Sequence, residues 1–150
     1  MMKRFLLIVL ALCLAAAGAQ AKLTIVKSGK PTARIVANID NSVDKQAAEL
    51  LQDFVQRISG AKLPIVSGKS AKGDVVIGQG NTEGLTEDGF RLATRDGRLY
   101  ISSGGDKGAL YGVVTLLENY LGVAYYAAGA LDVPSMSTIE LPDINHHENP

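Results

Sequence analysis

Tryptophan is absent, cysteine occurs once, at Cys13, and histidine occurs only at the adjacent positions His146 and His147. These gaps exclude much chemistry. The lone Cys13 falls in an N-terminal leader, so no disulfide framework is available and thiol catalysis has no nucleophile. Two neighbouring histidines rarely converge on one metal without a third ordered ligand, so none of these residues is assigned as a metal ligand. A charge excess is also missing: 15 basic residues face 15 acidic ones, and removing Lys3 and Arg4 with the leader leaves 13 against 15, a net of −2. No basic patch recommends nucleic acid.

The leader itself, "MMKRFLLIVLALCLAAAGAQA", has a basic start at Lys3 and Arg4, an apolar run from Phe5 to Leu14, and small residues suited to cleavage. It reads as a secretory signal peptide over residues 1–21, cut after Ala19 or Ala21. The apolar run is shorter than the roughly 20 residues that cross a bilayer, so no stable membrane span is expected. Acylation at Cys13 is the rival reading, against which Leu12 stands where a small residue would be needed. The mature chain is then expected in the periplasm or outside the cell. Its length suits one domain, set at residues 22–143, with 144–150 as a tail or the start of a linker.

Within that domain, "LTIVKSG" and "ARIVANI" are β-branched runs, two early strands or one interrupted strand. In "NSVDKQAAELLQDFVQRISG" the period changes. Apolar Ala47, Leu50, Leu51, Phe54, Val55 and Ile58 form one helical stripe, with Asn41 or Ser42 as the cap and Gly60 as the stop. "KLPIVSG" and "GDVVIGQG" are short strands. In "GFRLATRDGRLYISSGG", Phe90 and Leu92 alternate with polar neighbours, Asp96-Gly97 supplies a two-residue turn, and Leu99 and Ile101 resume the alternation, which specifies a β-hairpin. A second helix spans about Asp106 to Leu121, with Leu110, Val113, Val114, Leu117 and Leu121 as its stripe, and one or two strands close the domain. Hairpins with only two helices imply an α+β fold: a mixed, mainly antiparallel sheet with both helices packed on one face.

No motif for chemistry is complete. Gly68-Lys69-Ser70 resembles a P-loop tail, but Leu63 occupies the position of the required earlier glycine and no helix follows. "GQGNTEG" opens no helix either, so no cofactor is expected. The serines lack a nucleophile elbow, and Glu87, Asp88, Asp96 and Glu118 are not paired by any pattern around a sugar. No catalytic residue is assigned. Gly108 and Gly112, four apart on the second helix, share a face. Close approach to the sheet explains them better than an anion at the helix start, where the Asp106 carboxylate would repel it. Tyr120, Tyr125 and Tyr126 are the candidate interface residues, from which a glycan or protein contact would be built.

The segments "AAELLQDFVQRISGAKLPIV", "VVIGQG", "GFRLATRDGRLYISSGGDKGALYGVVTLLENYLGV" and "YYAAGALDVPSMSTIELP" resemble the domain that precedes the catalytic barrel in several glycoside hydrolase groups. These include β-N-acetylhexosaminidases, chitobiases and bacterial α-glucuronidases. The resemblance covers about Thr24 to Pro142 and is most specific from Gly89 to Gly122, where Gly89, Phe90, Gly108, Tyr111 and Gly112 fit the pattern. Lys107 stands where Arg is usual, and Tyr125 or Tyr126 where Trp often occurs. The resemblance implies a non-catalytic domain whose partner is a (β/α)8 barrel in a longer parent chain; the alternative is a free-standing carbohydrate- or protein-binding domain.

Overall fold

The computed structural model describes residues 22–125 and 129–150. The leader at 1–21, with Cys13 and the cleavage positions, and Tyr126 lie outside the described residues. The chain opens with β1 (Leu23–Lys27) and β2 (Lys30–Pro31), an antiparallel pair joined through Ser28 and Gly29. Both turn residues have positive φ, 50° and 75°, the backbone of a type I′ hairpin turn. β3 (Ile35–Val36) then leaves for a different sheet. The two early apolar runs are therefore three strands in two sheets.

Helix α1 (Ser42–Ser59) begins and ends where local chemistry dictates. Asn41 is its N-cap, with the side-chain oxygen accepting from the Val43 and Asp44 N–H groups, and Gly60 takes the left-handed conformation that stops it. Ala47, Ala48, Leu51, Val55 and Ile58 are buried on one stripe. Phe54, expected in the core, is only half-buried and carries the Arg57 guanidinium 4.9 Å above its ring.

β4 (Ile65–Val66) and β5 (Val75–Ile77) follow, then the hairpin of β6 (Phe90–Arg95) and β7 (Arg98–Ser103). Six strands form the main sheet in the order β11-β6-β7-β5-β3-β4, with β11 (Asn145–Glu148) at one edge. Its β4-β3-β5-β7 side is parallel and its β7-β6-β11 side antiparallel. β10 (Ile139–Leu141) pairs with β1 in a three-stranded sheet, and β8 (Ala124–Tyr125) with β9 (Leu131–Asp132) in a two-stranded one; all pairings in both are antiparallel. The fold is α+β with a mixed sheet.

Registers define the two faces of the main sheet. Ile35, Val75 and Leu99 align, as do Ile77, Ile101 and Leu92, and all six belong to the core together with the buried stripes of α1 and α2 (Gly108–Tyr120). Both helices thus lie over this face, touching each other. Ile25, Ile139 and Leu141 of the smaller sheet join the same core.

Two further expectations need correction. The stripe on α2 is rotated: Ala109, Val113, Leu116 and Leu117 are buried, whereas Val114 is 37% exposed. The physical cause is Gly108 and Gly112, which are buried and bring their own side of the helix onto the sheet. Residues 144–150, set aside as tail or linker, contain part of the domain: Ile144 is buried and β11 pairs with β6. The polar sequence of β11 hides the strand, because an edge strand can be held by its backbone ladder rather than by apolar alternation.

Candidate functional site

Gly89, Phe90, Gly108 and Gly112 meet where α2 crosses the hairpin. A Cβ on Gly108 would strike the Gly89 carbonyl oxygen, and one on Gly112 would lie 2.8 Å from Ile101 Cγ2 and 3.5 Å from Leu92 and Phe90. Such distances leave no room for a side chain, so the helix start is occupied by the protein's own backbone. Lys107 holds the N-cap position with no side-chain capping bond, and no acidic residue lies in the first turn. Asp106 therefore precedes the helix instead of capping it. Gly122 has φ 77° after the last turn, where Leu121 N–H donates to Leu116 O and Val123 N–H to Leu117 O.

Asp96 and Gly97 form the tip of the β6–β7 hairpin, at φ 52° and 73°. Tyr111 is 39% exposed and Tyr125 73%, while Tyr120 packs partly buried against the core. These tyrosines come from α2 and β8 and include no described stacked pair. Among the described residues, no group of three His, Cys, Asp or Glu side chains converges to hold a metal, and no helix is long and apolar enough to cross a membrane.

His146 lies beside Phe90, ring centroids 6.4 Å apart, with Nε2 2.9 Å from Glu148 Oε1. The next residues pin a loop: Asn149 Oδ1 accepts from the Thr86 N–H at 2.9 Å, and its Nδ2 donates to Gly84 O at 3.0 Å. A shallow hollow of about 270 Å3 runs between α2 and this strand, lined by Phe90, Tyr111, Val114 and Pro150 with the carboxylates of Asp88 and Glu148.

Two carboxylates are perturbed. Arg34 donates from Nε to Asp74 Oδ1 at 3.1 Å and from Nη2 to Oδ2 at 2.7 Å, and Ala71 N–H adds a bond at 2.7 Å. Burial pushes the Asp74 carboxyl up, but the Arg34 guanidinium and the backbone N–H groups of Ala71 and Arg34 together outweigh it and hold it below the usual carboxylate range. Asp44, in the first turn of α1, is pushed up by burial, and its carboxylate fills the space that a Cβ on Gly78 would need.

A larger hollow of about 550 Å3 lies between the start of β1 and the hairpin tip. Lys22, Lys72, Arg95 and Arg98 line it, with Asp96 and Asp143 among them. Sequence reading missed this place. Its residues are spread from position 22 to position 143, and each by itself reads as a solvated charge.

The family described as "Glycosyl hydrolase family 20, domain 2" matches residues 19–134. Among solved structures, the GH115 4-O-methyl-α-glucuronidase BtGH115A is similar with a TM-score of 0.58 and 15% identity over 83% of this chain and 18% of its own. A mutant β-hexosaminidase of Streptomyces plicatus gives 0.51 and 19% over 81% and 23%. The GH20 β-N-acetylhexosaminidase of Streptomyces coelicolor A3(2) gives 0.50 and 18% over 83% and 24%. At these identities the likeness is one of fold, and the chain spans about a fifth of the length of those structures. None of the curated proteins matches the chain.

Proposed function

Since the chain belongs to the family of glycosyl hydrolase family 20, domain 2, we propose that it is the non-catalytic N-terminal accessory domain of an exported carbohydrate-active enzyme. The observation that carries this reading is the family match, over most of the mature chain, to a domain that accounts for under a quarter of the similar enzymes. In this reading the chemistry belongs to a (β/α)8 barrel that follows in the parent chain. Residues 1–21 direct export and leave with the signal peptidase.

Reading the coding DNA beyond the codon for Pro150 tests this first. A frame that continues for about 250 residues of alternating strands and helices supports it, and a stop codon favours the free-standing binding domain. The purified protein should leave aryl N-acetylglucosaminides and aryl glucuronides intact. Turnover that disappears on Glu148→Gln or Asp88→Asn would overturn the non-catalytic reading. N-terminal sequencing of the exported protein should begin at Gln20 or Lys22; a lipid-modified Cys13 would replace secretion by anchoring.

A further inference from the structure

The hollow between β1 and the β6–β7 turn brings two cations without a carboxylate partner, Lys72 and Arg98, beside two that have one, Lys22 with Glu140 at 3.9 Å and Arg95 with Asp96 at 3.7 Å. Arg34 is fully engaged by Asp74, and Arg57 is engaged by Asp53 at 2.8 Å. Among the described residues, no carboxylate stands within 4.0 Å of the Lys72 or Arg98 cations. Lys72 lays its stem over Gly97. Arg98 is under-bonded: Nη1 donates to Asp96 O at 2.9 Å, Nη2 reaches Ser70 O only at 3.4 Å, and Nε is shut from solvent with no partner. An unbonded buried N–H is costly, above all on a charged group. The Nη groups of Arg98 are its remaining donors, and an oxyanion accepting from them makes the charge-assisted bonds that guanidinium favours.

The ligand class follows from what else lines the space. A volume of about 550 Å3 is far larger than one inorganic ion needs and falls in the range of small-molecule sites. Asp96 and Asp143 sit among the cations; they would repel a polyanion but can accept from hydroxyl groups. Among the described residues no aromatic ring lines the hollow, so they offer no platform for stacking a neutral sugar. One negative group surrounded by hydroxyls satisfies all three conditions. We propose that this hollow binds a uronic-acid residue of an acidic glycan, the carboxylate held by Arg98 and Lys72 and the hydroxyls by Asp96 and Asp143. The assignment rests on the reading that the domain serves a carbohydrate-active protein.

Titration of the 15N-labelled protein with digalacturonate, galactobiose and inorganic sulfate tests it by amide chemical shifts. Digalacturonate should give saturable shifts at Gly73, Thr94 and Gly97, and galactobiose should give none. Arg98→Gln should weaken binding about tenfold or more. Lys72→Gln, at an exposed position, should weaken it measurably without lowering Tm, and it carries the test if Arg98→Gln fails to fold. Equal affinity for sulfate, marking an adventitious anion only, would overturn the proposal; so would equal affinity for galactobiose, shifts confined to other elements, or binding unchanged in Lys72→Gln. A negative titration removes the uronate site alone, because the accessory role is decided by the downstream reading frame.

Discussion

Helices α1 and α2 lie side by side on one sheet face, yet different forces specify them. α1 carries its own instructions: an Asn41 cap, a left-handed Gly60 stop and an Asp53–Arg57 pair one turn apart. α2 has no side-chain N-cap, no acid in its first turn and no base in its last. It also spends two positions on glycine, each about 1 kcal/mol less favourable than alanine in a helix. Its stability comes from fitting closely against the hairpin. The contrast separates a helix written locally from one that exists because of its neighbours.

The comparison can be broken most severely at the close contact. Gly112→Leu must push against Ile101, Leu92 and Phe90, and overpacking of this kind costs about 1 to 3 kcal/mol, occasionally more. Urea unfolding should show it, with the α2 amides losing hydrogen-exchange protection before those of α1. A midpoint unchanged from the wild type would mean that α2 can lift off freely, and the packing account would fail.

Acid should have a smaller effect and act on the other half. Asp74 and Arg34 tie together the starts of β5 and β3, which flank α1 in the chain. Because the folded carboxyl titrates below its unfolded value of about 3.9, the pair's contribution is complete above that pH and is lost as pH falls below it. Unfolding at pH 5 and pH 3 should therefore differ, and Asp74→Asn should flatten that difference. Equal pH dependence in the variant would place the acid sensitivity elsewhere.

The smallest effects belong to the caps. Asn41→Ala should cost about 1 kcal/mol. Gly60→Ala, at φ 79°, should cost a similar amount because a Cβ disfavours that conformation. Both should reduce protection at the ends of α1 while leaving α2 unaffected. Loss spreading into α2 would show that the two helices unfold as one unit.

This division also explains what could be read from the sequence. α1 and the Asp96-Gly97 hairpin were legible because caps, turns and alternation are encoded within a few residues. The rotation of α2 was not, since Val114 and Leu116 are both apolar and only the sheet beneath decides which is buried. The parallel strands β3, β4 and β5 are two or three residues long, too short for a period to declare their direction. β11 was missed because its residues are polar, and the cationic hollow because it joins segments far apart in the chain. The α+β architecture itself was legible, because two one-sided helical stripes among hairpins leave few other ways to bury both helices.

The late closure of the two larger sheets has a consequence in time. β1 is made first but finds β10 near the other end, with Ser28 N–H bonded to Thr138 Oγ1 across 110 residues. β6 likewise awaits β11. At about 5 to 20 residues per second of synthesis, β1 waits roughly 5 to 20 seconds before its partner exists. During that interval the nascent chain has α1 and the hairpin available, but neither sheet can be completed. β10 and β11 are the last strands of the domain to be made, so the domain cannot lock until nearly all of its own residues are available.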